Sequence, residues 1–168
     1  QVEALPDDAA VARRAAAFIA DQARAAVRER GQFTLAVSGG RTPWAMLRAL
    51  AALPLPWAQL QLFQVDERVA PAGDASRNLT HIQANLLDHA PLPPAQLHAM
   101  PVDAADLHLA AADYAATLQR VCGTPAVLDL VHLGLGSDGH TASLVPGDAV
   151  LQIDDADVSL SGPYQGQR

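Results

Sequence analysis

The sequence predicts an α/β domain, a Rossmann-like layered fold with a mostly parallel sheet flanked by helices. Three observations carry this. Short apolar runs at residues 33–37 and 127–133 read as strands buried on both faces. They alternate with longer stretches whose apolar residues recur at helical spacing, the pattern of βαβ units. Each strong strand also runs into a loop rich in glycine or charge.

Residues 8–30 read as an amphipathic helix with a stripe of Val11, Ala15, Phe18, Ile19 and Ala26. Asp7 or Asp8 caps its start and Gly31 sits past its end. The 33–37 strand leads to Ser38-Gly39-Gly40-Arg41-Thr42-Pro43, where Thr42 suits an N-cap and Pro43 the first helical position. That helix should reach about Ala52, before Leu53-Pro54-Leu55-Pro56 breaks it.

Leu60, Leu62 and Val65 mark a second strand, ending at Asp66-Glu67-Arg68. After a Pro/Gly loop, Asp74 or Ser76 opens a helix carrying Leu79, Ile82, Leu86 and Leu87. Residues 91–94 are a connector, too short for a domain linker. Residues 104–121 repeat the helical pattern with Leu107, Ala111, Tyr114, Leu118 and Val121, and Gly123 follows. The 127–133 strand then enters a second glycine loop, and residues 157–160 suit a fourth strand. One domain is expected over residues 1–168. Its polar end, residues 162–168, with no helix after the last strand, reads as a C-terminal truncation or a mobile tail.

Composition narrows the function. The net charge of −7 argues against broad nucleic-acid binding. All eleven basic residues are Arg, so the chain supplies neither a Schiff-base lysine nor the lysine of a nucleotide-binding P-loop. Cys122 is the single cysteine, which fits a reducing compartment and a cytoplasmic location. No apolar run approaches the ~18 residues of a membrane helix, and no signal peptide is visible. The six histidines form neither H-x-H nor H-E-x-x-H, so no metal site is expected.

Open α/β sheets bind ligands beyond the carboxyl ends of their strands, so the three loops should converge on one crevice. Residues 38–42 combine two glycines, two hydroxyls and a helix start, which suits phosphate. An ordinary capped turn has the same composition. Asp66-Glu67-Arg68 is either part of a site or a solvated strand end with a local ion pair. In Gly136-Ser137-Asp138-Gly139-His140, His140 beside Asp138 suits a general base, or a solvent-exposed loop histidine. Gly134, Gly136 and Gly139 also match a dinucleotide fingerprint, but Pro146-Gly147 leaves no room for its helix.

Together these motifs resemble the 6-phosphogluconolactonase family, within the superfamily that includes glucosamine-6-phosphate deaminases. That family's S-G-G-S-T-P appears here as residues 38–43, its D-E-R as residues 66–68, and its G-x-G-x-D-G-H-T-A-S-L-F-P-G as residues 134–147 with Val145 for Phe. Departures are Arg41 in the phosphate loop, Arg77 before Asn78 where the family has Ser-Asn, and His132 in an otherwise apolar strand. Arg168 matches a later phosphate-contacting Arg. Family members continue beyond this C-terminus.

The resemblance implies hydrolysis of 6-phosphoglucono-1,5-lactone, with no metal or organic cofactor, since no redox step is involved. Ser38, Gly39, Gly40 and Thr42 would hold phosphate, with Arg41, Asn78, Gly136, Gly139 and Arg168 as further binding positions. His140 would act as general base, Arg68 on phosphate or the oxyanion, and Asp138 or Asp66 in orienting His140 or the sugar hydroxyls. A sugar-phosphate deaminase is the rival enzyme, but Val145 stands where that family has a Glu, and Arg68 where it has an aromatic. A non-catalytic sugar-phosphate sensor would share the phosphate loop.

Overall fold

A computed structural model describes residues 2–163 of the chain. Its elements are α1 (Asp8–Arg30), β1 (Phe33–Val37), α2 (Arg41–Ala51), β2 (Leu60–Gln64), α3 (Asn78–Ile82), β3 (Leu97–His98), α4 (Leu107–Cys122) and β4 (Leu130–His132). The sheet order is β3-β2-β1-β4, and every pairing is parallel. Val37 lies level with Gln64 on one side and His132 on the other. The chain therefore leaves β1, β2 and β4 at the same edge of the sheet.

Alternation along the buried strands divides the core. Phe33, Leu35, Val37, Leu60 and Leu62 join Met46, Leu47 and Leu50 of α2, the alanines of α1, and Ile82 and Leu86. Ala36 and Phe63 point the other way, onto Tyr114 of α4. Helices thus flank both faces of β1 and β2, whereas the run expected as a buried strand at 127–133 forms only β4, Leu130–His132, and leaves Val127 and Val131 69% and 43% exposed.

The Asp7 carboxylate caps α1 by accepting from the Ala10 amide at 2.7 Å, and Gly31 ends it at φ +78°. The buried face differs from the expected stripe. Ala12, Ala16, Ala20 and Ala23 pack with Ile19 and Ala26, whereas Val11 and Phe18 are 37% and 46% exposed. Small residues let α1 approach its neighbours closely, and the larger side chains are left on the flank. Arg14 lies over the Phe18 ring at 5.9 Å.

Other boundaries shift too. Gly40, at φ +109°, takes the N-cap of α2, so Thr42 and Pro43 fall inside the first turn. α3 starts after Arg77, and its next turn, Gln83–Leu87, widens into π-helical bonding. β3, which was not expected, is two residues long and pairs with Leu62 and Phe63. Residues 157–160 form no strand. They belong to a loop tied by Asp148, whose carboxylate accepts from the Val150 amide at 2.8 Å and the Gly162 amide at 2.7 Å.

Side-chain bonds, rather than ladder bonds, lock the entry to β4. One Asp129 oxygen accepts from the Thr34 amide at 2.8 Å and its hydroxyl at 3.0 Å, while the other pairs with Arg30 at 2.6 Å. The Asp129 amide donates back to the Thr34 hydroxyl at 2.8 Å. Asp129→Ala leaves a buried strand amide without its acceptor. It is expected to lower unfolding free energy by about 1–3 kcal/mol, read as a lower urea midpoint at unchanged slope.

Candidate active site

The phosphate-type loop leaves β1 with Ser38 buried, and its hydroxyl has no hydrogen-bond partner among the described residues. Gly40 has no side chain with which to cap α2, and no side-chain cap bond is made at this helix start among the described residues. Arg41 and Thr42 are exposed on that turn. Such a helix start suits an anion.

Gly39 is fixed by contact. A Cβ there would sit 1.8 Å from Oδ1 of Asn78. Asn78 is itself buried, and its Nδ2 donates to the Asp66 carbonyl at 2.9 Å and Oδ1 at 3.3 Å. The other Asp66 oxygen accepts from the Ser143 hydroxyl at 2.9 Å. Ser143 lies three residues beyond His140 in the glycine loop after β4. One chain of contacts therefore joins all three loops: Gly39 to Asn78, Asn78 to Asp66, and Asp66 to Ser143.

In that last loop the Nδ1 of His140 donates to Asp138 Oδ1 at 2.5 Å. The His140 carbonyl accepts from the Gly136 amide at 2.8 Å. A Cβ at Gly136 would lie 2.2 Å from the imidazole, so only glycine leaves room for this ring position. Gly139 has φ +87°, the left-handed conformation that glycine adopts without strain. With Nδ1 protonated, the basic lone pair resides on Nε2. The bond from His140 also holds the Asp138 carboxyl below its ordinary range.

Burial pushes the Asp66 carboxyl up, against the Ser143 hydroxyl, the charge of nearby Arg68 and the Asn78 amide. Folding therefore favours its protonated form. Its contribution is fully present below the ordinary Asp pKa of about 3.9 and is lost as pH rises through the higher folded value. Asp66→Asn is accordingly expected to be more stable than the parent at pH 7. The gap should close as pH falls below the carboxylate range, which urea midpoints at several pH values will show.

Most of the expected site residues are thus assembled at one edge. Arg168 lies outside the described residues. Sequence reasoning assigned no role to Ser143 or Glu67, although both hold the loops in place; their partners are up to 77 residues away in the chain, where no local pattern reveals them. His132 sits in β4 beside Val37, half-buried, with no partner for Nδ1 among the described residues, and burial pushes its pKa down. A cavity of about 500 Å³ opens on the α4 side, with Tyr114, Leu118, Val131 and Ile153 in its wall. It touches Asp66 and Ser143 but not His140 or residues 38–42, so its mostly apolar lining belongs to a neighbouring space. Among the described residues, no group of three or more His, Cys, Asp or Glu side chains converges as a metal site. No helix there is long and apolar enough to cross a membrane.

The geometry agrees with comparisons to known proteins. Residues 6–167 match the family described as glucosamine-6-phosphate isomerases/6-phosphogluconolactonase. The chain is 36% identical over 158 residues to a 6-phosphogluconolactonase of a Nostoc species, covering 92% of this chain but 66% of that protein. Among solved structures, a protein described as devB superposes with TM-score 0.84 at 29% identity, over 98% of this chain and 70% of that one. The Trypanosoma brucei 6-phosphogluconolactonase gives 0.80 at 25% identity, over 93% and 67%. The chain spans just under two thirds of the Nostoc relative's length. By motif, topology and similarity across nearly its whole length, the chain belongs to the glucosamine-6-phosphate isomerase/6-phosphogluconolactonase family.

Proposed function

We infer that the protein carrying this chain is a cytoplasmic 6-phosphogluconolactonase, which converts 6-phosphoglucono-1,5-lactone to 6-phosphogluconate in the oxidative pentose phosphate pathway. Residues 1–168 form one unit of it. The observation that carries the reading is the Asp138–His140 pair, seated on Gly136 and tied through Ser143, Asp66 and Asn78 to the Gly39 loop. That wiring supports a single site that combines an anion grip with an imidazole base.

In the reaction, phosphate rests on the amides and hydroxyls of Ser38, Gly39, Gly40 and Thr42, with Arg41 beside them. A water oxygen attacks the lactone carbonyl carbon while Nε2 of His140 takes its proton. The ring C–O bond then breaks, and the imidazolium returns the proton to the departing ring oxygen. The products are a carboxylic acid and a free hydroxyl. Arg68 stabilises phosphate or the developing oxyanion, and Asp138 keeps the imidazole in its productive tautomer. General-base catalysis of this kind is worth about 10²–10⁴-fold, and a single oxyanion donor about 10²–10³-fold.

Val145 disfavours the deaminase alternative, since no carboxylate stands there to assist ring opening. The test supplies full-length protein with either the lactone or glucosamine 6-phosphate. Accelerated acid release from the lactone is expected, with no ammonia from the amino sugar. Rapid ammonia release would establish the deaminase, and lactone binding without acceleration a sensor.

A further inference from the structure

Glu67 occupies the middle of the D-E-R loop, yet its side chain is fully buried. Its carboxylate is surrounded by donors. Oε1 accepts from the Arg68 and Asn78 amides, both at 2.7 Å. Oε2 accepts from the Leu79 amide at 2.9 Å and from Gln64 Nε2 at 2.8 Å. Arg77, almost wholly buried, brings its Nε to 3.6 Å and supplies the counter-charge. Glu67 therefore caps α3 from eleven residues upstream and pins the residue before it, Arg77, and the one that opens it, Asn78, against the end of β2.

The consequence reaches the crevice through Asn78. Its backbone is held by Glu67, while its side chain holds Asp66 and fills the space against Gly39. A shift of Asn78 moves the phosphate loop relative to the loop bearing His140, because Asp66 is also the anchor of Ser143. We propose that Glu67 is a positioning residue that sets the register between the phosphate loop and the base loop, acting through Asn78, with Arg77 as its buried partner. This rests on the lactonase reading above.

The isosteric Glu67→Gln variant turns an NH₂ group toward two N–H donors, whichever way the amide lies. It should displace Asn78 while preserving volume. In full-length protein, Glu67→Gln and Asn78→Ala are each expected to lower kcat/KM for the lactone by about tenfold or more. Much of the loss should appear in KM, because Asn78 borders the phosphate loop. A merely destabilised protein loses active molecules and so apparent kcat, with KM unchanged. The double variant should be no worse than the poorer single, since both changes break one linkage.

Losses that multiply in folded variants, an unchanged KM, or parental rates for Glu67→Gln would each overturn the proposal. Should Glu67→Gln fail to fold, Glu67→Asp takes its place in the cycle; it keeps the charge but draws it back by one methylene. Calorimetric binding of 6-phosphogluconate repeats the cycle without turnover. A parent that binds non-additively but does not hydrolyse removes the lactonase reading and leaves the positioning role. A parent that hydrolyses, with multiplying losses, does the reverse.

Discussion

His140→Ala in the full-length protein is expected to lower kcat for lactone hydrolysis by about 10²–10⁴-fold, with KM changed far less. The imidazole does not contribute to the core: it sits in an irregular loop, held by Asp138 and by the absence of a side chain at Gly136. Its removal should therefore leave the urea midpoint near the parental value. The proposed phosphate grip lies on a different loop, so binding of 6-phosphogluconate should persist. Asp138→Asn supplies the companion result. An amide can donate to Nδ1 and so favour the tautomer whose Nε2 carries the proton, which is useless for accepting one from water. Its kcat is expected to fall in the same direction. Initial acid release, followed by pH-stat with spontaneous hydrolysis subtracted, measures both. Equal corrected rates for His140→Ala and parent would remove the imidazole from the mechanism.

What the sequence made legible follows from how local the cause is. β1 is a short apolar run that suits a buried parallel strand, and its bounds are those the sequence marks; β2 starts at Leu60 as expected but stops at Gln64, short of Val65. α1 announced both ends, through the Asp7 cap and Gly31. The meeting of three loops at one edge was also readable, because parallel strands deliver their carboxyl ends together. The wiring between the loops was not. Asp66 to Ser143 and Thr34 to Asp129 span 77 and 95 residues, and nothing beside either partner marks the other. β3 was hidden because two residues carry no period. Of the stripe expected on α1, Ile19 and Ala26 are buried but Val11 and Phe18 are exposed, because close helix packing selects small side chains. The strand expected at residues 157–160 had the right composition, but the Asp148 loop holds that segment, and Asp157 accepts from Gln119 at 2.9 Å instead of joining a ladder.

The contact between Gly39 and Asn78 leads to the second large effect. In Gly39→Ala the new methyl would overlap Oδ1 of Asn78 at 1.8 Å and Cγ at 2.4 Å, and Asn78 has nowhere to retreat. Its Nδ2 is committed to Asp66 and its backbone to Glu67. Either the phosphate loop is displaced outward or the Asn78–Asp66 linkage breaks. Overpacking of this kind typically costs about 1–3 kcal/mol of stability, and a misplacement near 1 Å between binding and reacting groups can cost about 10²-fold in rate. Gly39→Ala is therefore expected to show a lowered urea midpoint together with a fall of about that size in kcat/KM. The two effects can be separated. The three nearest atoms all belong to the Asn78 side chain beyond its Cβ. Adding Asn78→Ala to Gly39→Ala removes the overlap, so stability should recover toward that of Asn78→Ala alone. Activity should not return to the parental level, because Asp66 has still lost its amide donor. If the second change restores neither the midpoint nor the packing, the steric reading of Gly39 is wrong. If Gly39→Ala is silent in both measurements, the phosphate loop does not rest on Asn78.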